Sequence, residues 1–439
     1  MAGVKPEPTR ILVVGGGYVG MYTALRLQSK LRRGEASITV VDPQPHMTYQ
    51  PFLPEAAAGS VEPRHVVVPL RKVLRRCSVL SGRVVRVEHA RRAATVETCD
   101  GHTEVLGYDV LVMAPGSVTR TLPIPGLAEQ GIAFKTIGEA IYLRNHVLSR
   151  LDAAETCLDP EARRTLLTFL VVGGGYAGIE ALAELEDMAR YASRYYDSIS
   201  PEDMRWVLVE ATGRIMPEVS EKMGVYTVER LMERGIEVFL DTRVKTMQDG
   251  HVVLDDGTEF DADTIVWTAG VKANPVLRET DLPLDSKRRV RCEATLQVVD
   301  CPEVFSAGDC AAVPDLTKDD PEATTAPSAQ HAVRQAKVLA DNLLAHLRGG
   351  QLRRYKHAYA GSVASLGLYR GVAEIYGIKL KGLPAWFMHR TYHISRMPTF
   401  NRKVRILTDW TAALLFRREV VALGQVNDPK AEFARATSS

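Results

Sequence analysis

Two carboxylates, each standing a fixed distance beyond a glycine-rich loop, are the residues of this chain best placed to do chemistry. The loop Gly15-Gly16-Gly17-Tyr18-Val19-Gly20 follows the apolar run Ile11 to Val14, and Asp42 lies 25 residues beyond Gly17. The loop Gly173-Gly174-Gly175-Tyr176-Ala177-Gly178 follows Phe169 to Val172, and Glu210 lies 35 residues beyond Gly175. In such a loop the first glycine makes a tight turn, the second lets the backbone approach a pyrophosphate, and the third lets helix pack closely on strand. The helix that opens there offers free N–H groups and the positive end of its dipole to phosphate. The carboxylate after the next strand accepts hydrogen bonds from a ribose. At Glu210 it also repels a 2′-phosphate, so NADH is expected over NADPH, a preference that neighbouring Arg214 softens. One loop of this kind is weak evidence, whereas two in strand–turn–helix context imply two dinucleotide sites. Gly15, Gly17, Gly20 and Asp42 are assigned to FAD, and Gly173, Gly175, Gly178 and Glu210 to NADH. Electron transfer between them is the expected chemistry.

The elements that must position these groups follow from the pattern. Residues 10–14 and 38–41 read as buried parallel strands around a helix over Tyr18–Leu31. A strand over Tyr108–Ala114 runs into Gly116. The second unit reads as strands over Leu166–Val172 and Trp206–Val209, a helix over Val225–Arg234, and strands at Glu237–Leu240 and Asp263–Trp267, the last running into Gly270. Gly308 and Asp309 end another strand. Asp309 is expected to hydrogen-bond a flavin's ribityl chain, compatibly with an ordinary helix N-cap role. Gly116, Gly270 and Gly308 join the cofactor-binding set, and Ser328–Leu347 reads as a long helix. The expected class is α/β, with two Rossmann-like dinucleotide-binding domains of the FAD/NAD-linked reductase type and a C-terminal amphipathic membrane-docking segment. The expected division is residues 1–125 with 290–347 for FAD, 126–289 for NADH, and 348–439 for membrane association. Glu180, just past the second loop, reads either as a desolvated carboxylate for proton chemistry or as an acid serving its helix N-terminus or an ion pair.

Composition narrows the class. At 439 residues, 46% hydrophobic and 25% charged, the chain is ordinary for a multidomain globular protein. No apolar run approaches the roughly 20 residues that span a bilayer. The polar start, Met1 to Arg10, is not expected to be a signal peptide. The six cysteines form no CxxC pair, which argues against a flavin disulfide reductase; they are expected to be mostly buried small hydrophobes. No metal site and no nucleic-acid partner are expected. Net charge is +2, yet residues 351–418 carry thirteen Lys/Arg against only Glu374 and Asp409. Leu407, Trp410 and Leu414 recur at helical spacing among those charges, with Trp386, Phe387, Tyr392 and Phe400 nearby. Such a segment is expected to lie on an anionic membrane surface. The competing reading is a helix packed on the protein body or in a homodimer.

From about Arg10 to about Leu423 the chain resembles the type II NADH dehydrogenases, the single-subunit NADH:quinone oxidoreductases. The matching stretches are Thr48–Pro54, Gly173–Glu180, Trp267–Val271, Phe305–Asp309 and Gly371–Ala385. Most diagnostic is Ala329-Gln330-His331-Ala332-Val333-Arg334-Gln335, similar to the family's quinone-site pattern AQxAxQ; here Arg334 replaces the last glutamine and Gln335 follows. The resemblance implies hydride transfer from NADH to FAD and two electrons onward to a quinone, menaquinone or ubiquinone; since no segment is expected to span the membrane, no proton pumping is expected, and the early first loop points to a peripheral protein on the cytoplasmic face. It implies quinone contacts from Ala329, Gln330 and Gln335, with Gln330 on a carbonyl, and proton relay by Glu180. Lys379 would take the place of a lysine that pairs with that glutamate. Two alternatives stay open: an NADH-dependent reductase of a soluble carrier or small oxidant, and a nucleotide-sensing membrane-associated protein.

Overall fold

Continuous apolar runs such as Ile11–Val14 can be satisfied only by burial on both faces, and that requirement builds the first sheet. The computed structural model describes residues 7–357 and 361–423. It separates into two compact units. The first comprises residues 1–48, 68–118 and 271–359. Its eight-stranded sheet has Thr9–Val14 between two parallel neighbours, Ala36–Asp42 and Val110–Met113. Cys301–Ser306 adds in parallel beyond Val110–Met113. On the other side, Ser78–Glu88 pairs in parallel with Ala36–Asp42 and then turns into an antiparallel meander through Ala93–Thr98 and Thr103–Gly107. The helix Tyr18–Lys30 is tied to the helix Ala329–Leu347: the Thr23 hydroxyl donates to the Ala336 carbonyl, and Arg26 makes a two-pronged ion pair with Asp341.

The second unit comprises residues 49–67, 119–270 and 360–439. Its five-stranded sheet is all parallel, in the order Gly131–Ala133, Thr264–Trp267, Thr168–Val172, Arg205–Val209, Glu237–Phe239. Thr136 and Glu139 form a reciprocal capping box that starts the helix Ile137–Thr156. Leu166, expected in a strand, instead ends a helix over Pro160–Leu166, because Asp159 caps Glu161 and Pro160 presets the first turn.

The unit boundaries differ from the expected domains in five places, two of them short: residues 119–125 fall in the second unit and 348–357 in the first. Residues 49–67 belong with the second unit and 271–289 with the first. Residues 361–423 also belong with the second unit: an antiparallel sheet (Gly361–Ser365, Gly371–Ile375, Ile378–Lys381) precedes the helices Leu383–Arg396 and Phe400–Phe416. The physical reason is burial. Ala364, Leu366 and Val372 join one core cluster with Leu182, Leu185 and Met188. The expected region's last residues, 424–439, and the start at 1–6 lie outside the described residues. Among the described residues no helix is long and apolar enough to cross a membrane.

Candidate functional site

In the first unit the loop is shaped as its glycines require. Gly15 sits at φ +98°, and a β-carbon there would lie 2.2 Å from the Ala114 carbonyl oxygen. A β-carbon at Gly20 would lie 1.8 Å from the Gly15 oxygen. At Gly17 it would meet nothing within 4 Å, so the loop's second functional position opens into space. Gly17 is also the N-cap of Tyr18–Lys30, with no side chain over the helix's first amides. Asp42 ends the neighbouring strand and accepts from the Gly16 N–H at 2.6 Å and the Gln44 N–H at 2.7 Å. Burial raises its pKa against those bonds.

The second unit repeats this geometry. Gly173 sits at φ +115°, a β-carbon at Gly178 would lie 2.0 Å from the Gly173 oxygen, and one at Gly175 would meet nothing within 4 Å. Gly175 caps Tyr176–Ala192 with no side chain over the amides. Glu210 accepts from the Gly174 N–H at 2.6 Å and, on its other oxygen, from the Thr212 N–H at 2.9 Å and hydroxyl at 2.8 Å. Arg214 points elsewhere, donating to the Val219 carbonyl at 2.5 Å. Gly270, at φ +90°, ends the adjacent strand and accepts from the Arg120 N–H at 3.1 Å.

Asp309 does not open the long helix. It sits in a short 3-10 turn, Gly308–Cys310, and its carboxylate accepts from the Ser117 hydroxyl at 2.6 Å. Gly116 precedes that serine at φ +68°, open around its α-carbon, and Gly308 sits at φ +77°. Gln335, expected at a quinone, is instead fully buried and committed: its carbonyl accepts from the Gly308 N–H at 2.7 Å, and its amide donates to Thr325 at 3.1 Å. It faces the interior because it lies one turn past His331 on the buried side of Ala329–Leu347. Ala329 and Gln330 lie on the first turn, half-buried. The Gln330 side-chain oxygen is 3.3 Å from His357 Nε2, and its backbone carbonyl accepts from Arg334 at 3.0 Å. Arg334 therefore folds back along the helix.

Glu180 lies in the second turn of Tyr176–Ala192, 7% exposed. With Glu184 and Asp187 it forms an acidic stripe at helical spacing, and the C-terminal part of the unit answers it. The Ser365 N–H donates to Glu180 at 2.9 Å, the Ser365 hydroxyl to Glu184 at 2.9 Å, Arg418 pairs with Glu184 at 3.0 Å, and the Leu368 N–H donates to Asp187. Lys379 does not pair with Glu180. It stands exposed on a hairpin opposite Glu374, since strand alternation turns it outward. The cation beside Glu180 is His389, whose Nε2 lies 3.1 Å from Oε1. Burial opposes charge on His389, yet Glu180, with Glu55 beyond it, prevails over burial and over Arg390 and raises its pKa.

A second buried cluster anchors the terminal helices. Glu55, 1% exposed on Leu53–Ala57, accepts from the Trp410 indole at 2.6 Å and pairs with Arg390 at 3.3 Å. The Arg390 guanidinium lies 4.0 Å from the Trp386 ring centre and 4.6 Å from that of Trp410. Trp386 and Trp410 thus face inward and not outward as expected, because both rings sandwich this cation. Leu383, Phe387, Phe400, Val404, Leu407, Leu414, Leu415 and Phe416 are the large apolar residues exposed on the two helices. Glu55, Arg390 and His389 escape notice in the sequence; the signal available was the i, i+4 pair His389 and His393. Of the six free cysteines only Cys292 and Cys310 are buried and Cys99 is exposed, so burial is less general than expected. Cys310, buried, is pushed up to about 11.

A family model described as pyridine nucleotide-disulphide oxidoreductase matches residues 9–336. The type II NADH:quinone oxidoreductase Ndh of Mycobacterium tuberculosis is 30% identical over 431 residues, covering 94% of this chain and 89% of that protein. The type II NADH:quinone oxidoreductase of Staphylococcus aureus is 29% identical, covering 87% of this chain and 93% of that one. Among solved structures, NDH2 from Plasmodium falciparum in complex with NADH has a similar fold, with a TM-score of 0.87 at 17% identity over 94% of this chain and 100% of that chain.

Proposed function

This chain belongs to the pyridine nucleotide-disulphide oxidoreductases and, among them, to the type II NADH:quinone oxidoreductases, and on that footing we propose that it oxidises NADH and passes two electrons by way of FAD to a membrane quinone. The observation that carries the reading is the repeated loop: two glycine turns of the same shape, each with an open second position, an uncapped helix N-terminus and a carboxylate on the loop amide. Gly15, Gly17 and Gly20 would hold the FAD pyrophosphate, with Asp42 on its ribose and Gly116, Gly308 and Asp309 about the remainder. Gly173, Gly175 and Gly178 would hold NADH, with Glu210 on its ribose and Gly270 at the adjacent strand end. When bound, FAD supplies the two-electron chemistry, accepting hydride and releasing electrons singly or in pairs. The chain's own part is to orient both nucleotides and to supply a proton. Gln330 would hydrogen-bond a quinone carbonyl with Ala329 beside it, while Gln335 holds the Gly308 turn from behind. Glu180 would serve proton transfer. The exposed Phe400, Leu407, Leu414, Leu415 and Phe416, among basic residues, favour peripheral docking on an anionic membrane over a homodimer; the cytoplasmic face is the side we propose for it.

Anaerobic mixing of the FAD-loaded protein with NADH tests this. Bleaching of the yellow colour is expected, followed by reoxidation faster with a quinone than with ferricyanide, oxygen or ferredoxin. Absence of bleaching would overturn the whole reading. Bleaching with preferential reoxidation by ferredoxin or oxygen would favour a soluble-carrier reductase instead.

A further inference from the structure

Glu180 is buried, so a proton delivered to it needs a route. NADH + H⁺ + quinone → NAD⁺ + quinol draws one proton from water per turnover, because the hydride carries only one of the two that the quinol takes up. Within the second unit a line of titratable side chains leads away from Glu180. His389 Nε2 lies 3.1 Å from Glu180 Oε1, and His389 is 1% exposed. Its ring meets that of His393 at 4.6 Å between centres and 65° between planes. His393 is partly exposed, and its Nδ1 lies 3.2 Å from the Tyr49 hydroxyl, Tyr49 being 3% exposed. Both His389 ring nitrogens are buried and neither makes a hydrogen bond of good geometry among the described residues, Nε2 standing only at ion-pair distance from Glu180. A buried imidazole nitrogen with no partner carries a desolvation penalty that a purely structural histidine would avoid.

We propose that His389 and His393 form the proton line serving Glu180, with Tyr49 orienting the outer ring. This rests on the reading of Glu180 as the proton donor in quinone reduction. Protonated His389 gives the Nε2 proton to Glu180 Oε1 as Glu180 yields its own to the quinol oxygen. Neutral His389 then takes a proton at Nδ1 from His393 by ring rotation, since the two rings touch without a standing hydrogen bond. His393 is reprotonated from water at its exposed edge. The groups facing the pair support that direction. Glu180 on its own helix, Glu55 on Leu53–Ala57, and Arg390 beside the pair are the charges that act on His389, and their balance favours its charged form. Burial first, and then the charge on His389, hold His393 well below the ordinary histidine value, so the outer ring gives its proton up readily.

His389→Gln keeps an amide that can donate to Glu180 but cannot relay a proton; His393→Phe breaks the line one step further out. The FAD-loaded full chain is reduced with NADH and reoxidised with a short-chain quinone, and the ratio of reoxidation to bleaching rates is read against pH. Proton transfer by a positioned side chain is worth about 10²–10⁴-fold, so the ratio should fall about a hundredfold in either variant. Reoxidation by ferricyanide, which takes electrons alone, should keep its ratio. The wild-type ratio should fall as pH rises and His389 loses its proton; in His389→Gln that limb should vanish. Independently of turnover, ¹⁵N-histidine NMR should show the His389 titration moving to lower pH in Glu180→Gln. If both histidine variants keep the wild-type ratio and pH limb while Glu180→Gln slows reoxidation, the line is wrong and Glu180 is fed otherwise. If Glu180→Gln also leaves reoxidation unchanged, the reading of Glu180 falls as well.

Discussion

Replacing Glu210 by alanine tests the assignment of the second loop most directly. The carboxylate makes three hydrogen bonds in the nucleotide-free protein, to the Gly174 amide and to both donors of Thr212. It therefore shapes the loop and is also the acceptor available to a ribose. A hydrogen bond to a charged group contributes about 1.5–3 kcal/mol, and leaving a donor unmatched costs a similar amount. Losing one such bond to the ribose, with the rest of the loop intact, lowers NADH affinity by a factor between about ten and about 150, at about 1.4 kcal/mol per tenfold. NADPH should suffer less, because the negative charge that opposed its 2′-phosphate disappears with the side chain, and the gap between the two nucleotides narrows. The assay is anaerobic stopped-flow bleaching over a range of NADH and NADPH concentrations, which separates affinity from the limiting rate. The limiting rate should hold within about threefold, since no group at the reacting carbon changes. An NADH dissociation constant within twofold of wild type, or a wild-type protein that prefers NADPH, would refute the assignment.

Four further outcomes follow from the structure. Gly178→Ala drives a methyl group to within 2.0 Å of the Gly173 oxygen and 2.6 Å of Thr268 Oγ1, so melting temperature and NADH bleaching should both drop. Gly175→Ala, which meets nothing, should melt like wild type yet bind NADH more weakly, and equal effects from the two would sink the open-cradle argument. Glu55→Ala strands the buried Arg390 charge and should cost about 3–5 kcal/mol in denaturant unfolding, with Glu55→Gln costing less; an unchanged midpoint would contradict the anchor. Serine at Leu414, Leu415 and Phe416 together should release the protein from anionic liposomes without lowering its melting temperature, because these side chains lie outside the core that Ala364, Leu366 and Val372 join. Glu35 is held down to about 2 from 4.5, chiefly by the Arg348 hydrogen bond. The stability this gives is full above pH 4.5 and lost as pH falls through about 2, so Arg348→Ala should flatten the acid limb of the melting curve over that window.

The glycine loops were legible because their constraint is local. A positive φ, as at Gly15 and Gly173, or a carbonyl oxygen within 1.8–2.2 Å of a missing β-carbon, as at Gly15, Gly20 and Gly178, demands glycine whatever else the chain does. The carboxylates at Asp42 and Glu210 were legible because a parallel strand of known register ends beside the loop it serves. For the same reason the central parallel strands of both sheets, and the helices that open from the loops, could be placed from pattern, whereas edge strands such as Gly131–Ala133 and Thr103–Gly107 could not. What the sequence left undecided is which face of a helix meets which partner. Periodicity puts Leu407, Trp410 and Leu414 on one stripe, but only packing turns Trp410 onto Arg390 and leaves the leucines outside. The motif Ala329–Gln335 marked a helix, yet burial alone commits Gln335 to the Gly308 turn. Lys379 had the right charge for Glu180 and the wrong side of a strand. His389, distant in the chain and absent from any motif, reaches that carboxylate because residues 361–423 fold back onto the helix that carries it. Local sterics and strand register are written into short stretches of sequence; the pairing of buried charges depends on which distant surfaces exclude water together, and the tertiary structure alone decides that.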